Sequence, residues 1–392
     1  MDIFIMGTFR EKNAGDDAIF SPMIADLKEA IPDAKFIIPT RCPHFLLDRY
    51  GDKYDIEPIS VTLKDVTIKL PLFIFKGLKS VCKSDIVLIT QSMLYDYKLF
   101  NPKHNSLFGI FGLFLYAKLL GKTVGFYNAT IGPLNTWTGR TILRFMSNRT
   151  DFIILRDNWS VEVLKQLNVT KPPIYITADE AFNAVPVSKK EAIQIMTSEG
   201  INLERKLVGI NLNFYIGTWV KSDIDEETFI EIISESVDRI IEELDVDVVF
   251  VITDHFDIDL TNKIKNKVKH QGNITMIDNK KYDHPELMGI LGQLDMFIGM
   301  RLHSVVMAAT MNTPIIGIIY VDKVRSFIKM LEQEDKVIEF KDLNVENFVS
   351  KANELWLQKE KVKKELEPVI EELQQKAHSS ANILIKYLEE RG

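Results

Sequence analysis

The sequence predicts an α/β protein made of two doubly wound parallel-sheet units, and three observations carry that reading. Short apolar strand candidates alternate with helix candidates almost throughout, the pattern of βαβ units. The chain has 392 residues, more than one hydrophobic core usually supports. A polar stretch from Val187 to Arg205 separates two such alternating sets.

Met1 to Gly7 reads as the first strand, and a polar loop follows from Thr8 to Gly15. A helix then begins at Asp16-Asp17 and stops before Pro32; acidic residues in its first turn suit the helix dipole. Further strands are expected at Lys35–Ile38, Asp85–Thr90, Thr123–Tyr127, Phe152–Leu155 and Ile174–Ile176. Helices fall near Leu107–Leu120, Trp137–Ser147 and Trp159–Leu167. This set makes a first domain over residues 1–186. The second, over 187–344, has strands at Leu207–Leu212, Asp247–Ile252, Ile274–Ile277, Asp295–Ile298 and Ile315–Ile319. Its helices lie near Glu226–Leu244, Ile258–Val268, Pro285–Leu291, Leu302–Met311 and Val324–Leu331. Residues 345–392 read as C-terminal helices, with Leu, Val and Ile three or four apart and Glu and Lys on the other faces. Two Rossmann-like domains facing a cleft, with a helical tail, form the GT-B-like architecture.

A net charge of -7 argues against a nucleic-acid partner, which would demand a basic face. Cys42 and Cys82, with no CxxC spacing, suggest neither a disulfide framework nor a zinc site. The N-terminus lacks the basic start of a signal peptide, so a cytoplasmic protein is expected. Two apolar runs, Leu70–Leu78 and Leu107–Leu120, fall short of the ~20 residues a membrane span needs. The second is expected to be a helix buried against the sheet, with peripheral attachment at the inner face of the membrane as the alternative.

Two consecutive strand-to-helix turns concentrate chemistry at one sheet edge. Gly299-Met300-Arg301-Leu302-His303-Ser304 follows one strand of the second set, and Tyr320-Val321-Asp322-Lys323 follows the next. Ligands of open α/β sheets bind at that edge, and helix N-termini there favour anions. Two cations beside an imidazole therefore predict an anionic substrate. His303 is the candidate acid/base, because a bound anion offsets the helix dipole that otherwise opposes its charged form. The other histidines (His44, His104, His255, His270, His284 and His378) are expected to be structural. Arg156, at the carboxyl end of another strand, can hold a carboxylate or phosphate bidentately, or pair with Asp157 or Asp179. Asp157 and Ser160 look like caps of the next helix. In the loop Asn13-Ala14-Gly15-Asp16-Asp17-Ala18, glycine permits close backbone approach and two carboxylates suit sugar hydroxyls better than phosphate. A plain helix cap is the other reading of that loop.

Taken together, these pieces resemble the polysaccharide pyruvyl transferase family. The matching text is Asn13 to Ala18, Ile131-Gly132-Pro133, Arg156-Asp157 with Ser160, Asp179-Glu180-Ala181-Phe182, Arg301-Leu302-His303-Ser304, Pro314, Tyr320 and Lys323. It runs from about residue 7 to about residue 330. One place departs: where the family has a glycine-rich turn, this chain has Gln91-Ser92-Met93-Leu94, whose side chains crowd a close approach to ligand. The resemblance implies transfer of a pyruvyl group from phosphoenolpyruvate to a sugar of a cell-surface polysaccharide or its precursor, leaving a cyclic ketal. Phosphoenolpyruvate is then the donor substrate, with no cofactor and no metal, and the acceptor is a sugar or glycan, free or lipid-linked. On this reading His303, Asp16 and Asp17 are catalytic, while Arg156, Arg301, Lys323, Asn13, Gly15 and Tyr320 bind substrate. The first domain is the acceptor side and contributes Arg156; the second is the phosphoenolpyruvate side. Two readings compete, a nucleotide-sugar glycosyltransferase and a non-catalytic glycan-binding relative. Retaining glycosyltransferases of this architecture often carry a Glu-x7-Glu pair, but Glu332, Glu334 and Glu339 have Phe340, Asp342 and Asn347 eight residues on.

Overall fold

The computed structural model describes residues 1–391 apart from 8, 10, 12, 62–69, 102–104 and 215–223, with backbone alone for 70–76. Part of the expected loop Thr8–Gly15, all of His104, and most side chains of the run Leu70–Leu78 lie outside the described residues. The chain divides into two compact units. The first comprises Met1–Glu11, Ile19–Glu180 and Gln374–Gly392; the second comprises Lys12–Ala18 and Ala181–Leu373.

The first unit contains β1 (Asp2–Met6), most of α1 (Ala14–Ala30), β2 (Lys35–Thr40), α2 (Pro43–Tyr50), β3 (Ile56–Ser60) and α3 (Leu70–Lys83). It continues through β4 (Ile86–Leu94), α4 (Leu107–Leu119), β5 (Thr123–Ile131), α5 (Trp137–Ser147), β6 (Phe152–Leu155), α6 (Asn158–Gln166) and β7 (Ile174–Ile176). Among the described residues these strands form one parallel sheet in the order β3-β2-β1-β4-β5-β6-β7. Both faces are covered, as a parallel sheet requires. Phe4, Val87, Phe126 and Ile153 pack on one side with α4 to α6. Their strand neighbours Ile3, Ile5, Ile86, Phe152 and Ile154 pack on the other with Phe20, Met23 and Leu27 of α1.

The second unit contains α7 (Lys189–Ser198), β8 (Lys206–Asn211), α8 (Glu226–Leu244), β9 (Val246–Ile252), α9 (Ile258–Lys267), β10 (Ile274–Asp278) and α10 (His284–Leu291). Then come β11 (Met296–Gly299), α11 (Leu302–Thr310), β12 (Ile315–Ile319), α12 (Asp322–Met330) and β13 (Val337–Glu339). Its parallel sheet runs β10-β9-β8-β11-β12-β13, so the strand order reverses between β8 and β11. The tail is a single helix, α13 (Val345–Glu389), rather than several, and it accommodates Pro368. Its last turns supply Ala381, Leu384 and Tyr387 to the α1 side of the first sheet.

The fold is the expected one, two doubly wound Rossmann-like units of GT-B-like type with a C-terminal helix. Some elements exceed what periodicity showed. Helix α7 lies inside the stretch expected to be a polar spacer, started by Ser188, whose hydroxyl accepts from the Glu191 amide at 3.2 Å. Strands β4 and β5 outrun their expected ends because each carries a register shift: Gln91 sits at φ 60° and Asn128 at φ 46°. The compact units also divide the chain at other places than 186/187 and 344/345. The start of α1 packs with the second unit, and α13 splits after Leu373.

Beside the β5 bulge, Glu180 is fully buried, with Tyr127 donating to its carboxylate at 3.3 Å. Burial first, then Asp26 and Asp179, hold its carboxyl well above the ordinary range. A raised acid contributes most stability below its unfolded pKa of about 4.3 and loses that contribution as pH rises toward the folded value. Glu180→Gln is therefore expected to gain melting temperature over the parent at pH 8 relative to pH 5, by about 2–4 °C for each kcal/mol relieved. Thermal melts at the two pH values test this.

Candidate functional site

In the second unit the carboxyl ends of β8, β9, β11 and β12 meet at the switch point of the sheet, where ligands of such folds bind. Gly299 ends β11 against the next helix: a β-carbon there would lie 2.6 Å from Val305 Cγ2. Asn211, the last residue of β8, fixes the turn. Its amide donates to the Val251 carbonyl at 2.8 Å, and its oxygen accepts from the Arg301 amide at 3.1 Å and the Ser304 hydroxyl at 2.9 Å.

Arg301 precedes α11, and its charge is balanced within the fold. Its Nη2 donates to Asp257 Oδ1 at 2.8 Å, its Nε contacts the other oxygen of Asp257, and its Nη1 lies 3.3 Å from Asp254 Oδ2. Asp254 and Asp257 are 1% and 0% exposed. Burial opposes the guanidinium charge, but attraction by Asp257 and then Asp254 outweighs it and holds Arg301 above its ordinary range. Tyr320, at the end of β12, has its hydroxyl 3.0 Å from the Asn213 amide nitrogen that donates to it. Lys323 follows in the first turn of α12, half-buried.

His303 lies in the first turn of α11, and the start of α1 packs onto it. A β-carbon at Gly15 would sit 2.8 Å from His303 Cβ and 2.9 Å from its Nδ1, so the backbone passes the imidazole at a distance only glycine allows. Several bonds hold that approach. Asn13 pairs with Asp254 as an antiparallel bridge and donates Nδ2 to Asp254 Oδ2 at 3.2 Å, and the Ala14 amide donates to the Thr253 carbonyl at 2.9 Å. The Asn13 side-chain oxygen also caps α1, accepting from the Asp16 amide at 3.0 Å. Asp17 is buried with its Oδ2 2.8 Å from His284 Nδ1. Gly15→Ala is expected to overpack this contact and cost about 1–3 kcal/mol, measurable by urea unfolding.

Every candidate except Arg156 thus falls in one unit: Asn13, Gly15, Asp16, Asp17, Arg301, His303, Tyr320 and Lys323. Arg156 lies in the first unit, 2% exposed, and its partner is Asp179 rather than Asp157, with Nη1 2.6 Å from Asp179 Oδ2. It also donates to Thr130 Oγ1 at 2.8 Å and to Ser92 Oγ at 2.9 Å. The departure from the family's glycine turn is therefore built into this network. Gln91 adopts the left-handed backbone that a glycine would favour, and Ser92 supplies an acceptor for Arg156. Asp157 acts as read, capping α6 by accepting from the Ser160 amide at 2.7 Å, whereas the Ser160 hydroxyl does not cap but accepts from the Ile131 amide of β5 at 2.8 Å.

Three residues at the site escaped the sequence reading, Asn211, Asp254 and Asp257, and His284, expected to be structural, is buried there against Asp17. A signal existed for the aspartates, since Thr253-Asp254-His255-Phe256-Asp257 follows a strand end. His284 and Asn211 act through partners distant in sequence, and nothing local marks them. Among the described residues no group of His, Cys, Asp and Glu is arranged to hold a metal ion.

No curated protein sequence matches the chain significantly. Among solved structures, it is similar to S. aureus MnaA in complex with UDP, with TM-score 0.69, 14% identity, and 99% of this chain and 96% of that one covered. Similarity extends to HepE of Anabaena in complex with UDP, with TM-score 0.65, 9% identity and full coverage of both chains. UDP-GlcNAc 2-epimerase of Neisseria meningitidis bound to UDP-GlcNAc also has TM-score 0.65 with full coverage of both, at 14% identity. At such identities these likenesses establish the shared fold. The family model described as polysaccharide pyruvyl transferase matches residues 13–322, most of the chain and, of the residues quoted for the resemblance, all but Lys323. The chain belongs to the polysaccharide pyruvyl transferase family, a family of transferases.

Proposed function

We propose that the protein transfers the pyruvyl group of phosphoenolpyruvate to two hydroxyls of one sugar, in a cell-surface polysaccharide or its precursor, forming a pyruvate ketal. The observation that carries this reading is the packing of Asn13–Asp17 on the His303 turn, which sets the acidic first turn of α1 beside an imidazole in the second unit, while Lys323 follows the neighbouring strand β12. Family membership supports it.

The proposed chemistry needs one proton donor and one proton acceptor. His303 protonates the methylene carbon, and the adjacent carbon becomes oxocarbenium-like. A sugar hydroxyl attacks that carbon, the carbon–oxygen bond to phosphate breaks and inorganic phosphate leaves. A second hydroxyl closes the ketal; of the two hydroxyl protons, one replaces that given by His303 and the other leaves with phosphate. Lys323 is assigned to the anionic donor, with each charge-assisted contact contributing about 1.5–3 kcal/mol. Arg301 is assigned to holding the His303 turn through Asp254 and Asp257, next to the bound anion. Asp16 is assigned to the acceptor hydroxyls, and Asp17 to the same task through its pairing with His284. Arg156 is assigned to an anionic group of a substrate from its place at the end of β6.

A nucleotide-sugar glycosyltransferase is the second reading, favoured by the UDP-bound state of MnaA and HepE. Calorimetric titration separates the two: phosphoenolpyruvate is expected to bind, and binding of UDP-sugars alone would overturn the proposal.

A further inference from the structure

Helix α4 has no polar side. Leu107, Ile110, Phe114 and Ala117 face the core. The opposite face, which a surface helix ordinarily fills with charge, carries Phe108, Gly112, Leu115 and Leu119 at helical spacing. Leu119 is 83% exposed, and among the described residues no neighbouring atom comes within 4 Å of a β-carbon placed at Gly109 or Gly112. Phe100, 75% exposed, extends the patch, its ring centroid 5.7 Å from that of Phe108. Contiguous exposed apolar surface of this kind marks an interaction site.

The charge of the segment that carries it is one-sided, although Lys118 pairs with Asp151 at 2.7 Å. Between Asp96 and Asp151 the chain has no acidic residue and seven Lys or Arg, although the whole protein carries -7. Lys98, Arg144 and Arg149 are exposed, and Arg149 stacks on Phe145 at 3.7 Å from the ring centroid. Phe145 in turn packs edge-on against Phe111 of α4, so α5 joins the apolar face to cations. Among the described residues no helix is long and apolar enough to cross a membrane. An apolar helix face with a cationic rim instead matches the interfacial zone of an anionic bilayer. A second copy fits poorly, since pairing these faces would oppose two like-charged rims.

We propose that α4, with Phe100 and the α5 cations, seats this protein on an anionic membrane surface. Co-sedimentation of the full chain with extruded vesicles tests it, at 0.1 M salt, with phosphatidylcholine alone or with 30% phosphatidylglycerol. At least tenfold stronger partitioning onto the anionic vesicles is expected, reversed by 0.5 M salt. The double variant Phe100→Ser/Leu119→Glu changes only exposed positions and is expected to lose at least tenfold in binding with an unchanged melt. Arg144→Gln/Arg149→Gln is expected to weaken binding to anionic vesicles and leave the phosphatidylcholine background unaltered. Equal partitioning onto both vesicle types, or variants that bind like the parent, would overturn the proposal. So would a dimer, seen by sedimentation velocity, that Leu119→Glu dissolves, because a second copy would then cover the face. The assay contains neither phosphoenolpyruvate nor glycan, so its outcome is independent of the proposed chemistry.

Discussion

Replacing His303 by alanine is expected to lower turnover by about 10²–10⁴-fold, the usual worth of a positioned acid/base. The physical case rests on location. His303 sits in the first turn of α11 and is approached by Gly15 at a distance that excludes any larger residue. Removal of the imidazole leaves space in front of Gly15, so the fold should survive and the melt should change little. The loss should appear in kcat, with phosphoenolpyruvate affinity reduced far less, since protonation belongs to the transition state. Full turnover in His303→Ala, assayed by phosphate release in the presence of an active acceptor, would remove the assignment.

Arg301→Ala is expected to produce the largest loss of stability at the site. The guanidinium separates two buried carboxylates, Asp254 and Asp257, and removing one partner of a buried ion cluster costs about 3–5 kcal/mol. At about 2–4 °C per kcal/mol, the melting temperature should fall on the order of 10 °C. The double variant Arg301→Ala/Asp257→Asn should recover part of that loss, because one stranded charge is gone. If the single variant melts like the parent, the cluster does not support the turn. Asn13 also bonds Asp254, so loosening this cluster is expected to disturb the approach of α1 to His303 as well.

Much of this was legible in the sequence because the signal was local. Alternating apolar runs marked the strands at the core of both sheets, and Gly299 to His303 announced a strand-to-helix turn with a cation and an imidazole. What stayed hidden depends on pairs far apart in the chain. Asp17 meets His284 across 267 residues, and Asn13 meets Asp254 across 241. Those contacts decide that the start of α1 packs with the second unit, although its sequence reads as part of the first. Arg301 looked like an open anion clamp; its pairing with Asp257 could not be seen, because carboxylates in a loop have no periodicity. Gln91 concealed itself differently. A left-handed backbone at a glutamine has no propensity signal, and the β4 bulge that imposes it arises from pairing with β5.

The most direct test of the proposed chemistry is to follow purified protein with phosphoenolpyruvate and candidate glycan acceptors by phosphorus and carbon NMR. The expected result is stoichiometric loss of phosphoenolpyruvate, appearance of inorganic phosphate and a new ketal carbon with its methyl group on the sugar, all dependent on acceptor and abolished in His303→Ala. Glycosyl transfer from a UDP-sugar to the same acceptors, with phosphoenolpyruvate untouched, would contradict it.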